Sequence, residues 1–305
     1  MRELVIHEVG MRDGLQIEEK QVPLETKEIW ISELLQSGIQ ILQVGSFVHP
    51  DRVPQMGTTD ELSTMLAPLA AEKGVTLSGL VLNERGLERG LKCGTELFCM
   101  GVSASETHSL RNTGMSSTEA LERITAMARR ALEEKKKVQL SVQSAFGCGF
   151  EGTIPPARVL AIIEEYLSRG FTDISLADTA GKANPRQVSE LVSEVFKLEE
   201  KITLTCHFHN TYGAGIANCL AAWDSGVSIF ETAFGGLGGC PFTRTKGGNV
   251  CSEDLVHLCR NMGIEASVDT APLVSVTSRA EDYFEREMSG CLYKTVPADK
   301  RRLPV

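Results

Sequence analysis

Eight short apolar runs, each followed by a longer amphipathic stretch, recur along this chain, and that alternation restricts the folds open to it more than any other feature. The strand-like runs, rich in aliphatic and β-branched residues, fall at residues 4–9, 41–47, 76–82, 97–102, 138–145, 173–176, 202–209 and 229–234. Helix-like segments lie between them at 26–36, 59–72, 84–93, 118–134, 156–169, 185–198 and 213–224, with one more at 249–261 after the last strand. Ser117-Thr118-Glu119 and Pro156 mark helix starts, and Gly170 marks a stop. Eight strand–helix pairs over about 250 residues are the pattern of an α/β chain closed into a (β/α)8 TIM barrel. An open doubly wound sheet would carry Gly-x-Gly-x-x-Gly after its first strand, and none follows residues 4–9. No compositional break divides the 305 residues. We expect a single barrel domain over residues 1–292, closed by a C-terminal helical extension, and a loose basic tail over 293–305.

Hydrophobic residues make up 42% of the chain and charged residues 23%, the balance of a globular protein with a large core. A formal charge of −9 with no basic stripe speaks against nucleic-acid binding. Lys135-Lys136-Lys137 ends a helix-like segment, where cations suit the helix dipole. No run approaches the roughly 20 apolar residues of a membrane span. Met1-Arg2-Glu3 leads into the first strand without the apolar core of a signal peptide. Nine cysteines with no Cys-x-x-Cys spacing fit the reduced thiols of a cytoplasmic protein better than a disulfide framework. Cys93, Cys99 and Cys219 lie in apolar runs and are expected in the core.

In a barrel of this kind chemistry sits at the carboxyl ends of the strands. Polar residues gather there: Arg12 and Asp13 after the first, Gln43 and Ser46 in the second, Ser103, Ser105 and Glu106 after the fourth, and Gln143 and Ser144 in the fifth. Asp178 and Thr179 follow the sixth, His207 and His209 end the seventh, and a glycine-rich run follows the eighth. His207 and His209 share a strand face because the side-chain period is two. Barrel closure sets the first strand beside the eighth, which brings Asp13 to them. Two imidazoles and a carboxylate, with positions left for substrate oxygens, suit magnesium or manganese. An isolated His-x-His would more often be two satisfied histidines in a polar mouth; the added carboxylate reverses that balance. Arg12 suits an enolate or thioester carbonyl, against the plainer reading of an ion pair with Asp13 or Glu8. Gly235-Gly236-Leu237-Gly238-Gly239 is expected to be a mobile loop, with Cys240 at its tip as a proton donor or acceptor. Asn249 is either an amide-carbonyl ligand or a helix N-cap.

The segments Glu8-Val9-Gly10-Met11-Arg12-Asp13-Gly14-Leu15-Gln16, Ser46-Phe47-Val48, Val53-Pro54-Gln55-Met56, His207-Phe208-His209-Asn210-Thr211-Tyr212-Gly213 and Gly236-Leu237-Gly238-Gly239-Cys240-Pro241 resemble the hydroxymethylglutaryl-CoA lyase family, and the similarity runs over residues 4–263. The resemblance implies a divalent ion, Mg2+ or Mn2+, held by Asp13, His207, His209 and Asn249. It implies Arg12 as the electrophile on the substrate carbonyl and Cys240 as the acid–base residue. Gln16, Gln43, Ser105, Asn112 and Thr179 would surround an acyl-CoA substrate, with 103–112 lining its way in, and the protein would form a homodimer. The implied reaction is a metal-assisted retro-Claisen cleavage to acetyl-CoA and acetoacetate. One position departs from the family: Gln43 stands where it carries a glutamate, and an amide cannot act as a base. A slower lyase, a different 3-hydroxyacyl-CoA, or a non-catalytic acyl-CoA-binding barrel would each fit that change. A Claisen-type condensing enzyme generally carries a long region after its barrel, which this chain lacks. A Schiff-base aldolase needs a desolvated lysine, and Lys182 falls in a polar loop.

Overall fold

The computed structural model describes residues 2–239 and 248–303. Eight parallel strands close into a barrel in chain order. They are β1 (Val5–Glu8), β2 (Ile41–Ser46), β3 (Thr76–Leu80), β4 (Leu97–Ser103), β5 (Lys137–Gln143), β6 (Asp173–Asp178), β7 (Thr203–Phe208) and β8 (Ile229–Thr232). The barrel closes between β1 and β8, with Val5 opposite Ile229 and Glu8 opposite Thr232. Helices α1 (Leu24–Gln36), α2 (Thr59–Lys73), α3 (Glu84–Lys92), α4 (Glu106–Thr113), α5 (Ser117–Glu133), α6 (Pro156–Ser168), α7 (Pro185–Leu198) and α8 (Gly215–Asp224) surround it. After β8 come α9 (Ser252–Asn261), α10 (Thr270–Phe284) and the single turn α11 (Leu292–Thr295). The expected TIM barrel with a helical extension is the observed fold. None of the described helices is long and apolar enough to cross a membrane.

Side chains from strands that are not neighbours meet, and such contacts run only across the interior. His7 of β1 touches Ser78 of β3 at 2.7 Å, Gln139 of β5 donates to Thr205 of β7 at 3.0 Å, and Ser175 of β6 donates to Glu231 of β8 at 3.2 Å. Barrel interiors are usually filled by bulky branched residues in such layers. Here the fill is hydrogen-bonded and polar. The alternate positions, among them Ile6, Leu42, Leu140, Ile174, Leu204 and Phe230, are fully or nearly fully buried and form the core shared with the helices. The eight cysteines among the described residues are free thiols, and seven of them, Cys93, Cys99 and Cys219 included, are buried as expected.

The stretch after β4 forms α4, whose first turn is capped by Ser105. Two expectations are corrected. The glycine run 235–239 is a packed turn rather than a loose one: Gly235, Gly236 and Leu237 are buried, and Gly236 N–H donates to the Ala233 carbonyl. Its glycines serve positive φ, +61° at Gly235 and +119° at Gly238, where side chains are strained. Residues 293–303 are not a loose tail either. Tyr293 is fully buried and its hydroxyl donates to Glu281 at 2.9 Å, while Leu303 N–H donates to Ser275 at 3.0 Å. A buried aromatic with a satisfied hydroxyl explains why this segment docks.

Candidate metal centre and active site

Asp13 reaches the mouth through an unusual piece of backbone. The chain leaves β1 into a five-residue π-helical turn, Gly10–Gly14, a rare geometry that tends to mark functional sites. Glu8 anchors that turn, its carboxylate accepting from the N–H groups of Gly10 and Phe234 and from the Ser252 hydroxyl. Gly10 leaves the room this needs, because a Cβ there would lie 2.6 Å from the Phe234 ring. The outcome is that Arg12 and Asp13 both face the cavity.

His207 and His209 come from the end of β7, their ring centroids 5.0 Å apart. Ligating atoms of Asp13, His207 and His209 all lie within 4.8 Å of one another, and all three residues are buried. His209 Nε2 is 3.7 Å from Asp13 Oδ2. Asn249 is delivered by a short antiparallel bridge to His209. It is not a helix N-cap, the position before α9 being Cys251. Its Nδ2 donates to Asp13 Oδ2 and to the Leu237 carbonyl, each at 2.9 Å, while its Oδ1 is buried without a hydrogen-bond partner among the described residues. A buried acceptor beside a carboxylate and two imidazoles is what an oxygen-preferring divalent ion would satisfy, so this donor set fits such an ion. Gly238 permits the close approach: a Cβ there would sit 2.5 Å from Asn249 Nδ2.

Burial works to raise the Asp13 carboxyl, but the Arg12 guanidinium and then His209 outweigh it and hold it well below the usual range. Arg12 contacts Asp13 Oδ1 through Nη1 and Gln43 Oε1 through Nε, so it pairs with Asp13 and not with Glu8. Gln16 donates to Asp13 Oδ1 at 3.1 Å. Together these residues line a cavity of about 410 Å3 that also takes in Asn112, Thr179, Gln143 and Gly239.

Of the residues singled out by sequence, Asp13, His207, His209, Arg12, Gln16 and Gln43 converge on this cavity, with Asn112 and Thr179 on its wall, and Asn249 joins them through its hydrogen bond to Asp13. Ser105 does not join them. It is fully buried, accepting from His108 N–H and donating to Glu151, so it orients α4 and through it His108 and Asn112. Asp178 is also turned inward, its carboxylate accepting from the N–H groups of Lys182 and Ala183. Lys182 itself is exposed, which removes the desolvation a Schiff-base lysine requires. Cys240 lies outside the described residues; Gly239, its neighbour in sequence, lines the cavity. Sequence reading missed Glu231, which reaches the floor of the cavity from β8 with Oε2 3.0 Å from His207 Nδ1. Burial would raise its carboxyl, yet the contact and charge of His207, then His7 and Arg12, bring it down to about 2. A lone acidic residue between Phe230 and Thr232 in an apolar strand was the available signal.

Comparison with known proteins agrees with this geometry. The family model described as HMGL-like matches residues 3–279. A hydroxymethylglutaryl-CoA lyase of Bacillus subtilis is 34% identical over 281 residues, covering 92% of this chain and 93% of the relative. An (R)-citramalyl-CoA lyase of Chloroflexus aurantiacus is also 34% identical, over 304 residues, 97% of this chain and 96% of the relative. Among solved structures, an HMG-CoA lyase of Acinetobacter baumannii in complex with coenzyme A and 3-methylmalate superposes with a TM-score of 0.89 at 36% identity, covering 99% of this chain and 98% of that one. A match of this length, on a closed barrel with the Asp13, His207 and His209 cluster at its mouth, makes the chain a lyase of the HMGL-like family.

Proposed function

We propose that this protein is a divalent-metal-dependent carbon–carbon lyase that cleaves 3-hydroxy-3-methylglutaryl-CoA, or a closely related 3-hydroxyacyl-CoA, to acetyl-CoA and acetoacetate or the corresponding keto acid. The observation that carries this reading is the convergence of Asp13, His207 and His209 on the same cavity as Arg12, with Asn249 hydrogen-bonded to Asp13. A divalent ion held there would supply Lewis acidity to substrate oxygens. Transfer of the tertiary hydroxyl proton to a base, a role the Cys240 thiolate can fill, breaks the adjacent carbon–carbon bond, and the electron pair passes to the thioester as an enolate. Arg12, fixed by Gln43 and Asp13, presents a permanent cation to that developing oxygen charge. Cys240, in the role implied by the family resemblance, returns a proton to the enolate carbon. Free thiols favour a cytoplasmic setting, and we place the working protein there as a homodimer.

The neutral amide of Gln43 keeps a second substrate in view, the shorter citramalyl thioester cleaved by one relative. Purified protein is assayed with hydroxymethylglutaryl-CoA in magnesium, manganese or chelator, beside the Gln43→Glu variant. Cleavage that disappears in chelator and rises with the glutamate is expected. Should neither protein cleave that thioester while citramalyl-CoA is consumed, the substrate assignment moves to the latter.

A further inference from the structure

Glu231 occupies a position that the proposed chemistry leaves unexplained. It stands in register opposite His207, is 8% exposed, and has a polar neighbour at each carboxylate oxygen. Oε2 lies 3.0 Å from His207 Nδ1. Oε1 accepts from the Ser175 hydroxyl at 3.2 Å and lies 3.9 Å from His7 Nδ1. His7 is in turn held through Nε2 by Ser78 at 2.7 Å. This is a built arrangement of four strands around one carboxylate.

Two consequences follow from elementary chemistry. A neutral imidazole carries one proton, and the nitrogen facing a carboxylate is the one that keeps it. The 3.0 Å approach of Glu231 Oε2 favours the proton on Nδ1, although the contact falls outside hydrogen-bond geometry, and this leaves the His207 lone pair on Nε2 for an ion. Second, Asp13 and Glu231 are the two carboxylates among the described residues lining the cavity, because position 43 is an amide. We propose that Glu231 is a positioning residue for the metal centre: it fixes His207 as the Nδ1–H tautomer and supplies the second fixed negative charge of a site in which Gln43 supplies none. Outer carboxylates that hold ligating imidazoles this way raise ligand basicity and set ring orientation, and losing one typically weakens metal binding about 10- to 100-fold.

The inference rests on the metal reading of the site and not on which thioester is cleaved, so its test uses no substrate. Mn2+ binding to the intact protein is measured by electron paramagnetic resonance for the parent, Glu231→Gln and Glu231→Asp, with circular dichroism confirming the fold of each. Glu231→Gln should raise the Mn2+ Kd about 10- to 100-fold, with Glu231→Asp between it and the parent. A Glu231→Gln Kd within about twofold of the parent would overturn the proposal. A second measurement needs no folded variant at position 231. In parent protein labelled with 15N-histidine, with His207 assigned by its loss in His207→Asn, the metal-free ring should be protonated at Nδ1. Protonation at Nε2 would equally sink the idea. Failure of the parent to bind Mn2+ overturns the metal reading along with this inference. Tight Mn2+ binding without cleavage of hydroxymethylglutaryl-CoA removes the substrate reading alone.

Discussion

At the scale of single residues, Arg12 is the side chain whose chemistry is hardest to replace. Its planar guanidinium engages Gln43 through Nε and Asp13 through Nη1 at once, which aims the remaining donors into the cavity. A lysine keeps the charge but is a point donor on a flexible stem and cannot hold both partners. Arg12→Lys should therefore lower kcat by about 10² to 10³, the usual cost of losing one preorganised donor to a developing oxyanion. Steady-state kinetics with the substrate found active above measure it, and an unchanged kcat would remove Arg12 from the chemistry. The same residues show what a sequence discloses. Asp13, His207 and His209 were legible because closure of an eight-stranded barrel follows from strand count, and closure alone brings positions 13 and 209 together. Glu231 was not, because a single acid in a strand looks the same whether it meets water or a buried imidazole. Ser105 was misread for the complementary reason: a polar residue at a strand end serves a helix N-terminus as readily as a ligand.

Among the elements, β1, the turn after β8 and α9 are tied together through one carboxylate. Glu8 is fully buried and accepts from Gly10, Phe234 and Ser252, which belong to three separate segments. Burial raises its carboxyl from the ordinary value near 4.5 to about 8, against the lowering effect of those hydrogen bonds. Between these two values the folded protein keeps a proton that the unfolded chain has released. The unfolded state then binds fewer protons, so stability falls as pH rises through that window. His7, whose burial lowers it to about 4, contributes the opposite slope below its ordinary value near 6.5. The difference between parent and Glu8→Gln isolates the first effect. Melting temperatures taken from pH 5 to pH 8.5 should decline more steeply for the parent than for the variant, and parallel profiles would show that Glu8 is ionised throughout. The strand and helix periods were readable in the sequence, yet this junction was not. The π-helical turn at Gly10–Gly14 and the packed glycines at 235–238 depend on contacts between opposite ends of the chain. Local pattern gives glycine the same appearance in a packed turn as in a loose one.

For the molecule as a whole, the decisive property is that one site draws on residues 13, 207, 209 and 249, which only complete barrel closure assembles. An unfolded chain holds these groups far apart on average and has no comparable site. An ion bound there binds the native state almost exclusively, and mass action then makes it a stabiliser of the entire fold. At a free metal concentration of about 100 Kd the gain is about 2.7 kcal/mol. A chain of 305 residues, at about 2.1 cal/mol/K of unfolding entropy per residue, converts that gain into a rise in Tm of about 4 °C. Mg2+ or Mn2+ should therefore raise Tm by about this much, and excess chelator should return it to the metal-free value. Asp13→Ala removes a proposed ligand that also pairs with Arg12 and Asn249. Its metal-free Tm should fall, and its response to metal should vanish. The informative quantity is the metal-dependent shift within each protein, because the loss of native contacts affects both of its arms equally. A shift that persists in Asp13→Ala would mean that the ion stabilises the barrel from some other place, and the convergence of ligands from both ends of the chain would then have no bearing on metal binding.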